Sequence, residues 1–151
     1  SKNWRDILGK EKPDSRQKDV ELILRFFFFL NTKNYAPPFK EYLSKYMVLH
    51  QKASKNFLIQ KEKLFNDTCK TIIDHLGPKP FHIKAGINTA VLDSVMVNIA
   101  NNLQNIPTNL KTKYKQLINN TEYQEVISGP IPNPSVLTKR FSIAKKILIG
   151  S

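Results

Sequence analysis

The sequence predicts an all-α protein that folds as a single compact bundle of about six or seven helices. Two observations lead to this fold class. Apolar residues recur three and four positions apart over most of the chain, which is the spacing of one helix face. No run alternates between apolar and polar residues for long enough to form a strand. Because 151 residues can build one core, we divide the chain into an N-terminal segment, residues 1–14, and a helical domain, residues 15–149.

The N-terminal segment carries Trp4, Ile7 and Leu8 ahead of a charged stretch that Pro13 interrupts. We expect no strong helix of its own here. Three apolar side chains so close together need cover, so the segment should pack onto an apolar surface. It should also leave an exposed apolar patch on which a further domain docks.

The first predicted helix is capped by Asp14 or Ser15 and ends at residues 31–34. Four consecutive phenylalanines leave it almost no polar face, so it should lie at the centre of the core. Glu21 and Arg25 are four residues apart and therefore within reach of each other. This helix is too short and too charged to span a bilayer, which takes about 20 apolar residues.

Three more helices are predicted in the middle of the chain. One begins near Pro37, because proline is tolerated in a first turn. The next covers residues 54–76 and ends at Gly77, a typical C-cap residue. The third follows the capping residue Asn88 and continues to about residue 103.

A carboxylate, Asp93, interrupts the apolar run of this last helix. A buried carboxylate requires a partner, because an unpaired charge is very costly in an apolar interior. We expect Arg25 to be that partner. Arg25 is therefore predicted to pair with Glu21, with Asp93 or with both, and these three residues are the expected structural ion-pair group in or beside the core.

In the C-terminal third of the chain, the sequence pattern predicts two short helices, at about residues 110–118 and 121–128. A proline-rich connector follows, and then a last helix at about residues 135–148. Basic residues gather on these helices, an arrangement that suits contact with phosphates without reading of bases. The candidate nucleic-acid-binding residues are Lys111, Lys113, Lys115, Lys139, Arg140, Lys145 and Lys146.

The overall charge favours the same class of partner. The chain has 24 Lys and Arg residues against 12 Asp and Glu residues, a net charge of +12. Such an excess suits polyanions such as duplex DNA, although a lysine-rich surface also serves solubility and that alternative stays open. The single cysteine, Cys69, rules out an internal disulfide and suits a reducing compartment. With no recognisable signal peptide, the expected location is the cytoplasm, with no membrane partner.

Patterns typical of catalysis are missing from the sequence. His50, His75 and His82 are far apart, no zinc-ligand spacing occurs, and the five scattered glycines form no phosphate-binding loop. We therefore expect no catalytic residue, cofactor or metal in this chain. The structural ion-pair group is the one set of residues from which an enzyme working alone would draw acid–base chemistry.

Three ordered blocks of sequence carry a family resemblance. They are Trp4–Lys10 with Asp14–Phe26, Tyr35–Leu43 with Tyr46 and Met47, and Ile87–Met96. Together these blocks resemble the later part of the GmrSD-type restriction endonuclease N-terminal-domain family, over about residues 4–103. Three blocks in the same order are more specific than any one of them.

The resemblance implies a function for the chain as part of a larger protein. In the family, these helices follow a domain of ParB and sulfiredoxin type, whose Asp-Gly-Gln-Gln-Arg signature is associated with nucleotide hydrolysis. This chain has no such signature. The implied role is a non-catalytic helical domain of a bacterial restriction or phage-defence protein, which supports an absent N-terminal nucleotide-hydrolysing domain and contacts the DNA backbone.

Two other functions stay open. The chain can be a structural protein-interaction domain without nucleic-acid binding, with its charge serving only solubility. It can also be an enzyme in its own right that uses Glu21, Arg25 and Asp93.

Overall fold

A computed structural model of the chain describes residues 1–31, 38–129 and 133–150. The predicted all-α class is confirmed, and over these ranges the chain forms eight α-helices and no strand. A single antiparallel bridge joins His82 and Ile87. The helices are α1 Lys2–Leu8, α2 Lys18–Asn31, α3 Phe39–Leu49, α4 Lys55–Leu76, α5 Thr89–Ala100, α6 Leu110–Ile118, α7 Thr121–Val126 and α8 Pro134–Ile149, with one 3-10 turn at Leu103–Asn105.

Helix α5 lies at the centre of the fold, and α2, α4 and α8 pack around it. Every residue from Ala90 to Ala100 is buried, as expected for a helix that is apolar on all sides. The side chain of Asn88 accepts a hydrogen bond from Val91 N at 3.1 Å, which confirms the predicted N-cap. The helix ends at Ala100, and the chain then continues as the short 3-10 turn.

The longest helix, α4, follows the predicted bounds. Ser54 caps it by accepting from Phe57 N at 3.2 Å, and Gly77 ends it with a φ of 79°. The predicted end of the preceding helix at residues 31–34 and the start near Pro37 fall largely outside the described residues. Most of the proline-rich connector before α8 also falls outside them.

The N-terminal segment is a helix of this domain rather than a separate docking strip. Ser1 caps α1 by accepting from Trp4 N at 3.3 Å, and Gly9 ends it in a left-handed conformation. Trp4, Ile7 and Leu8 are buried in the common core, and the Trp4 ring lies 5.2 Å from that of Phe65 in α4. The prediction of an exposed apolar patch at this segment is therefore wrong, because α4 of the same chain covers these side chains.

A close approach holds the end of α1 against the connection that follows α4. Lys79 N donates to Asp6 O at 3.0 Å, and the Lys79 side chain crosses directly over Gly9. A Cβ atom on Gly9 would lie 2.5 Å from Lys79 Cε, and the φ of +64° is one that other residues rarely adopt. The positive φ favours glycine at this position, and any larger residue would also have to displace the flexible Lys79 side chain.

Helix α2 begins at Lys18, later than the caps predicted from the sequence. Asp14 instead accepts from Arg16 N at 2.8 Å and pairs with Lys10, so its carboxylate is occupied before the helix starts. The first turn of α2 places Asp19 in the interior, where Arg5 Nη1 donates to its carboxylate at 2.7 Å. This hydrogen bond from α1 lowers the pKa of Asp19.

Within the described ranges, no helix combines the length and the apolar character that crossing a bilayer requires.

Replacement of Trp4 by alanine tests whether α1 belongs to the core. We expect Trp4→Ala to lower the free energy of unfolding by about 3–5 kcal/mol, because it leaves a large cavity against Phe65. Urea denaturation followed by circular dichroism measures this. Val20→Ala is the control, since Val20 is 47% exposed and its truncation should change stability little. An unchanged midpoint for Trp4→Ala would show that α1 is detached in solution.

The Arg5–Asp19 contact should make stability depend on pH. Because the pKa of Asp19 is lowered in the folded chain, its ionised form stabilises the fold above the unfolded pKa of about 4, and this contribution is lost as the pH falls through the folded pKa. The loss of stability caused by Asp19→Asn should therefore be largest near neutral pH and shrink in acid. Urea titrations from neutral pH to acid measure it, with Glu41→Gln on exposed α3 as the control. A difference that does not vary with pH would contradict the assignment.

Candidate functional site

The candidate nucleic-acid interface lies on α6 and α8, which pack against each other. Neither helix contains an acidic residue. Five of their lysines are exposed, and four of these five form no ion pair with a carboxylate of the described residues. We call this set the lysine surface: Lys111, Lys115, Lys145 and Lys146.

Lys113 was also predicted to contact nucleic acid, and the structure gives it another role. Its side chain is half-buried, and Nζ donates to Ile147 O at 3.5 Å, at the C-terminal end of α8. A cation there satisfies a carbonyl left free by the end of the helix and opposes the negative end of the helix dipole. Lys113 therefore joins α6 to α8 beneath the lysine surface.

Lys139 lies on the exposed side of α8 and is partly neutralised. Its Nζ is 3.6 Å from a carboxylate oxygen of Glu122, and both side chains are exposed. An exposed pair of this kind contributes little to stability. It does reduce the positive potential at this end of α8, which sets Lys139 apart from the four lysines of the lysine surface.

The assignment of Arg140 to a nucleic-acid surface is wrong. Arg140 is 3% exposed, and its Nε donates to Val126 O at the end of α7 at 2.8 Å. The inward face of α8 is formed by Leu137, Arg140, Ala144 and Leu148, so position 140 shares the apolar face and not the basic one. Arg140 supports the packing of α7 on α8.

Arg25 and Asp93 form the central ion pair. Arg25 Nε donates to Asp93 Oδ1 at 3.3 Å, and Nη2 donates to Oδ2. Arg25 is 5% exposed and Asp93 is fully buried. The guanidinium carbon also lies 4.9 Å from the centroid of the Phe39 ring, within range of a cation–π contact. Arg25 thereby connects α2, α3 and α5.

Glu21 lies outside this pair, which corrects the predicted three-member group. Its side chain is exposed and has no ion pair among the described residues. Arg25 extends from α2 toward α5, where both oxygens of the buried Asp93 carboxylate accept from its guanidinium. Such a two-bond contact is stronger than an exposed pair with Glu21 along the helix would be. Complete burial raises the pKa of Asp93, and the charges of Arg25 and Arg140 oppose this rise.

Two further polar residues of α5 went unrecognised in the sequence. Ser94 Oγ is 2.6 Å from Tyr123 Oη of α7, and Asn98 Nδ2 donates to Phe141 O of α8 at 3.1 Å. The sequence does contain a signal for them: polar residues in a helix that is otherwise apolar on all sides must be buried and need hydrogen-bond partners. Together with the Arg25–Asp93 pair they form the buried polar network.

A groove of about 800 Å³ lies between the 83–90 segment and residues 118–129, which run from the end of α6 through α7. Asn88, Asn119, Gln124 and Ser128 supply polar groups, and Lys84 is the one charged residue among its described lining. Its described lining contains no carboxylate, histidine or cysteine, and its hydroxyl groups are those of Thr89 and Ser128. Asp93 and Arg25 do not line it either, and their burial keeps them from any substrate.

Other reactive side chains are equally remote from catalysis. Burial raises the pKa of the Cys69 thiol to about 12, so the nucleophilic thiolate is scarce at neutral pH. Among the described residues, no three His, Cys, Asp or Glu side chains come together in a way that could hold a metal ion.

The central ion pair should be costly to break. We expect Arg25→Ala to lower the free energy of unfolding by about 3–5 kcal/mol, because the buried Asp93 carboxylate loses its partner. The joint replacement of Arg25 by Met and Asp93 by Leu should cost less, since no unpaired charge remains. Lys63→Ala, which breaks an exposed pair on α4, should cost at most about 1 kcal/mol. Chemical denaturation compares the three, and an Arg25→Ala midpoint equal to that of the wild type would refute the role of the pair.

Comparison of the chain with protein-family models, with curated proteins and with solved structures finds no match. The candidate function therefore depends on the geometry of the lysine surface and on the sequence resemblance alone.

Proposed function

We propose that this chain is a non-catalytic helical domain that holds duplex DNA by its phosphate backbone. The observation that carries the proposal is the lysine surface, four exposed lysines on two adjacent helices that contain no acidic residue. Lysine is a compact point charge on a flexible stem, which suits phosphates and gives little base discrimination. The net charge of +12 adds a long-range attraction to the same partner.

The biological setting of the proposal comes from the family resemblance. A GmrSD-like restriction or phage-defence protein places a nucleotide-hydrolysing domain before helices of this kind, and that domain is the proposed partner of this chain. In this setting the helical domain supports its catalytic neighbour and keeps the complex on DNA. The buried polar network supports this role because it makes the helical domain a rigid platform.

Salt titration of DNA binding tests the proposal. The chain should bind a fluorescently labelled duplex at low salt without sequence preference, and the logarithm of the binding constant should fall by about 0.9 per phosphate contact for each tenfold rise in salt. Replacing the four residues of the lysine surface by glutamine should weaken binding and reduce this slope. Fluorescence anisotropy over a series of salt concentrations measures both effects.

The matched control removes positive charge elsewhere. Lys63→Gln with Lys70→Gln takes two exposed lysines from α4, each of which is paired with an aspartate four residues on. This variant should bind DNA nearly as well as the wild type. Absence of binding at low salt, or binding that is indifferent to salt, would favour the structural protein-interaction domain in place of a DNA-binding one.

A further inference from the structure

Exposed apolar side chains are concentrated in one stretch of the chain. Among the described residues six large hydrophobic side chains are exposed, and five of these fall between residues 47 and 59. Val48 and Leu49 are 65% and 78% exposed, so the end of α3 presents its apolar groups directly to water. A concentration of this kind marks an interaction site more often than single scattered residues do. We call the five the apolar cluster: Met47, Val48, Leu49, Leu58 and Ile59.

A groove joins the end of α3 to the start of α4. Leu49 and Phe57 both line it, and its volume is about 290 Å³. The ring of His50 lies 4.3 Å from that of Tyr46 and 5.5 Å from that of Phe57, measured between centroids. These contacts connect the two helix ends through a row of rings. Leu49 of the apolar cluster lines the groove itself, and Leu58 follows the lining residue Phe57 directly in the chain.

The charge around the groove is mainly positive. Residues 42–61 contain four lysines and no acidic residue, and the nearest acidic residues along the chain are Glu41 and Glu62, on either side of this range. Lys52 lines the groove, and Lys61 Nζ lies 5.2 Å from the centroid of the Phe57 ring. The first turn of α4 has no acidic residue, so the positive end of its dipole adds to this field. An apolar groove bordered by lysines is complementary to a ligand that is apolar on one side and acidic on the other.

We propose that the apolar cluster and its groove bind an acidic amphipathic helix of a partner protein. In this arrangement, leucine-like side chains of the partner cover Leu49, Phe57 and Leu58, and its carboxylates face the surrounding lysines. This is the helix-in-groove mode of recognition, in which apolar side chains at helical spacing supply most of the affinity. A second copy of this chain fits poorly, because it would bring the same lysines face to face.

A designed peptide tests the proposal on the full 151-residue chain. The probe is a labelled helical peptide of about 18 residues with leucines at helical spacing on one face and glutamates on the other. We expect binding by fluorescence anisotropy, with NMR shifts confined to residues 45–61. Leu49→Ser combined with Leu58→Ser should weaken binding at least about tenfold. Val20→Ser, an exposed apolar position on α2, is the matched control and should leave binding unchanged.

Charge reversal gives an independent measurement. Lys52→Glu with Lys55→Glu should weaken binding of the acidic peptide and leave DNA binding at the lysine surface intact. All substituted side chains are exposed, and circular dichroism confirms that each variant is folded. A scrambled peptide of the same composition should bind no better than background.

Four outcomes would overturn the proposal. These are no peptide binding, binding that the Leu49 and Leu58 changes leave unaffected, self-association that these changes abolish, and binding to anionic vesicles without binding to the peptide. Self-association would assign the surface to a second copy of the chain, and vesicle binding would assign it to a lipid surface.

Discussion

The structure depends on one constraint: α5 is buried on every side, yet it carries three polar side chains that need partners. Each of the three finds its partner in a different neighbouring helix. Asp93 pairs with Arg25 of α2, Ser94 with Tyr123 of α7, and Asn98 with the backbone of α8. Ser94 and Asn98 also donate to carbonyls of α5 itself, Ala90 O and Ser94 O, so Asp93 is the one of the three that depends on another helix for its partner. Because a buried carboxylate without a partner is costly, the packing of α2 on α5 is the contact that this network specifies most strongly, while the apolar residues supply most of the driving force.

The chain uses its two kinds of cation in different places. The buried cations described are Arg25 and Arg140, while the lysine surface and the border of the apolar cluster consist of lysines. Physical chemistry accounts for this division. A guanidinium is more weakly hydrated than an ammonium, so it loses less hydration free energy when it is buried. It also offers several hydrogen-bond donors in a plane and can therefore satisfy more acceptors. Lysine keeps its charge in water, where it serves long-range attraction.

The two proposed binding surfaces are carried by separate parts of the fold. The lysine surface belongs to α6 and α8. Lys113 of α6 and Asn98 of α5 both donate hydrogen bonds to backbone carbonyls of α8, so the three helices are connected. The apolar cluster belongs to the end of α3 and the start of α4, where few core contacts are made and Phe39 is the one buried residue of α3. A domain of this design can hold DNA with one surface and a protein with the other. Its rigid centre would keep the two at a constant distance.

The sequence by itself determined the helical class, the cap at Asn88, the end of α4 at Gly77 and the burial of Asp93, because these depend on spacing and on local hydrogen bonding. It also indicated Arg25 as the partner of Asp93, since both interrupt strongly apolar helices. Tertiary structure alone decided that α1 belongs to the core, that Glu21 is left outside the ion pair, and that Arg140 faces inward. Each of these outcomes depends on which surface a neighbouring helix presents. A basic residue next to an apolar stripe has the same local sequence pattern whether its side chain faces water or the end of another helix. For Arg140, the packing of α7 on α8 decides that the side chain faces inward.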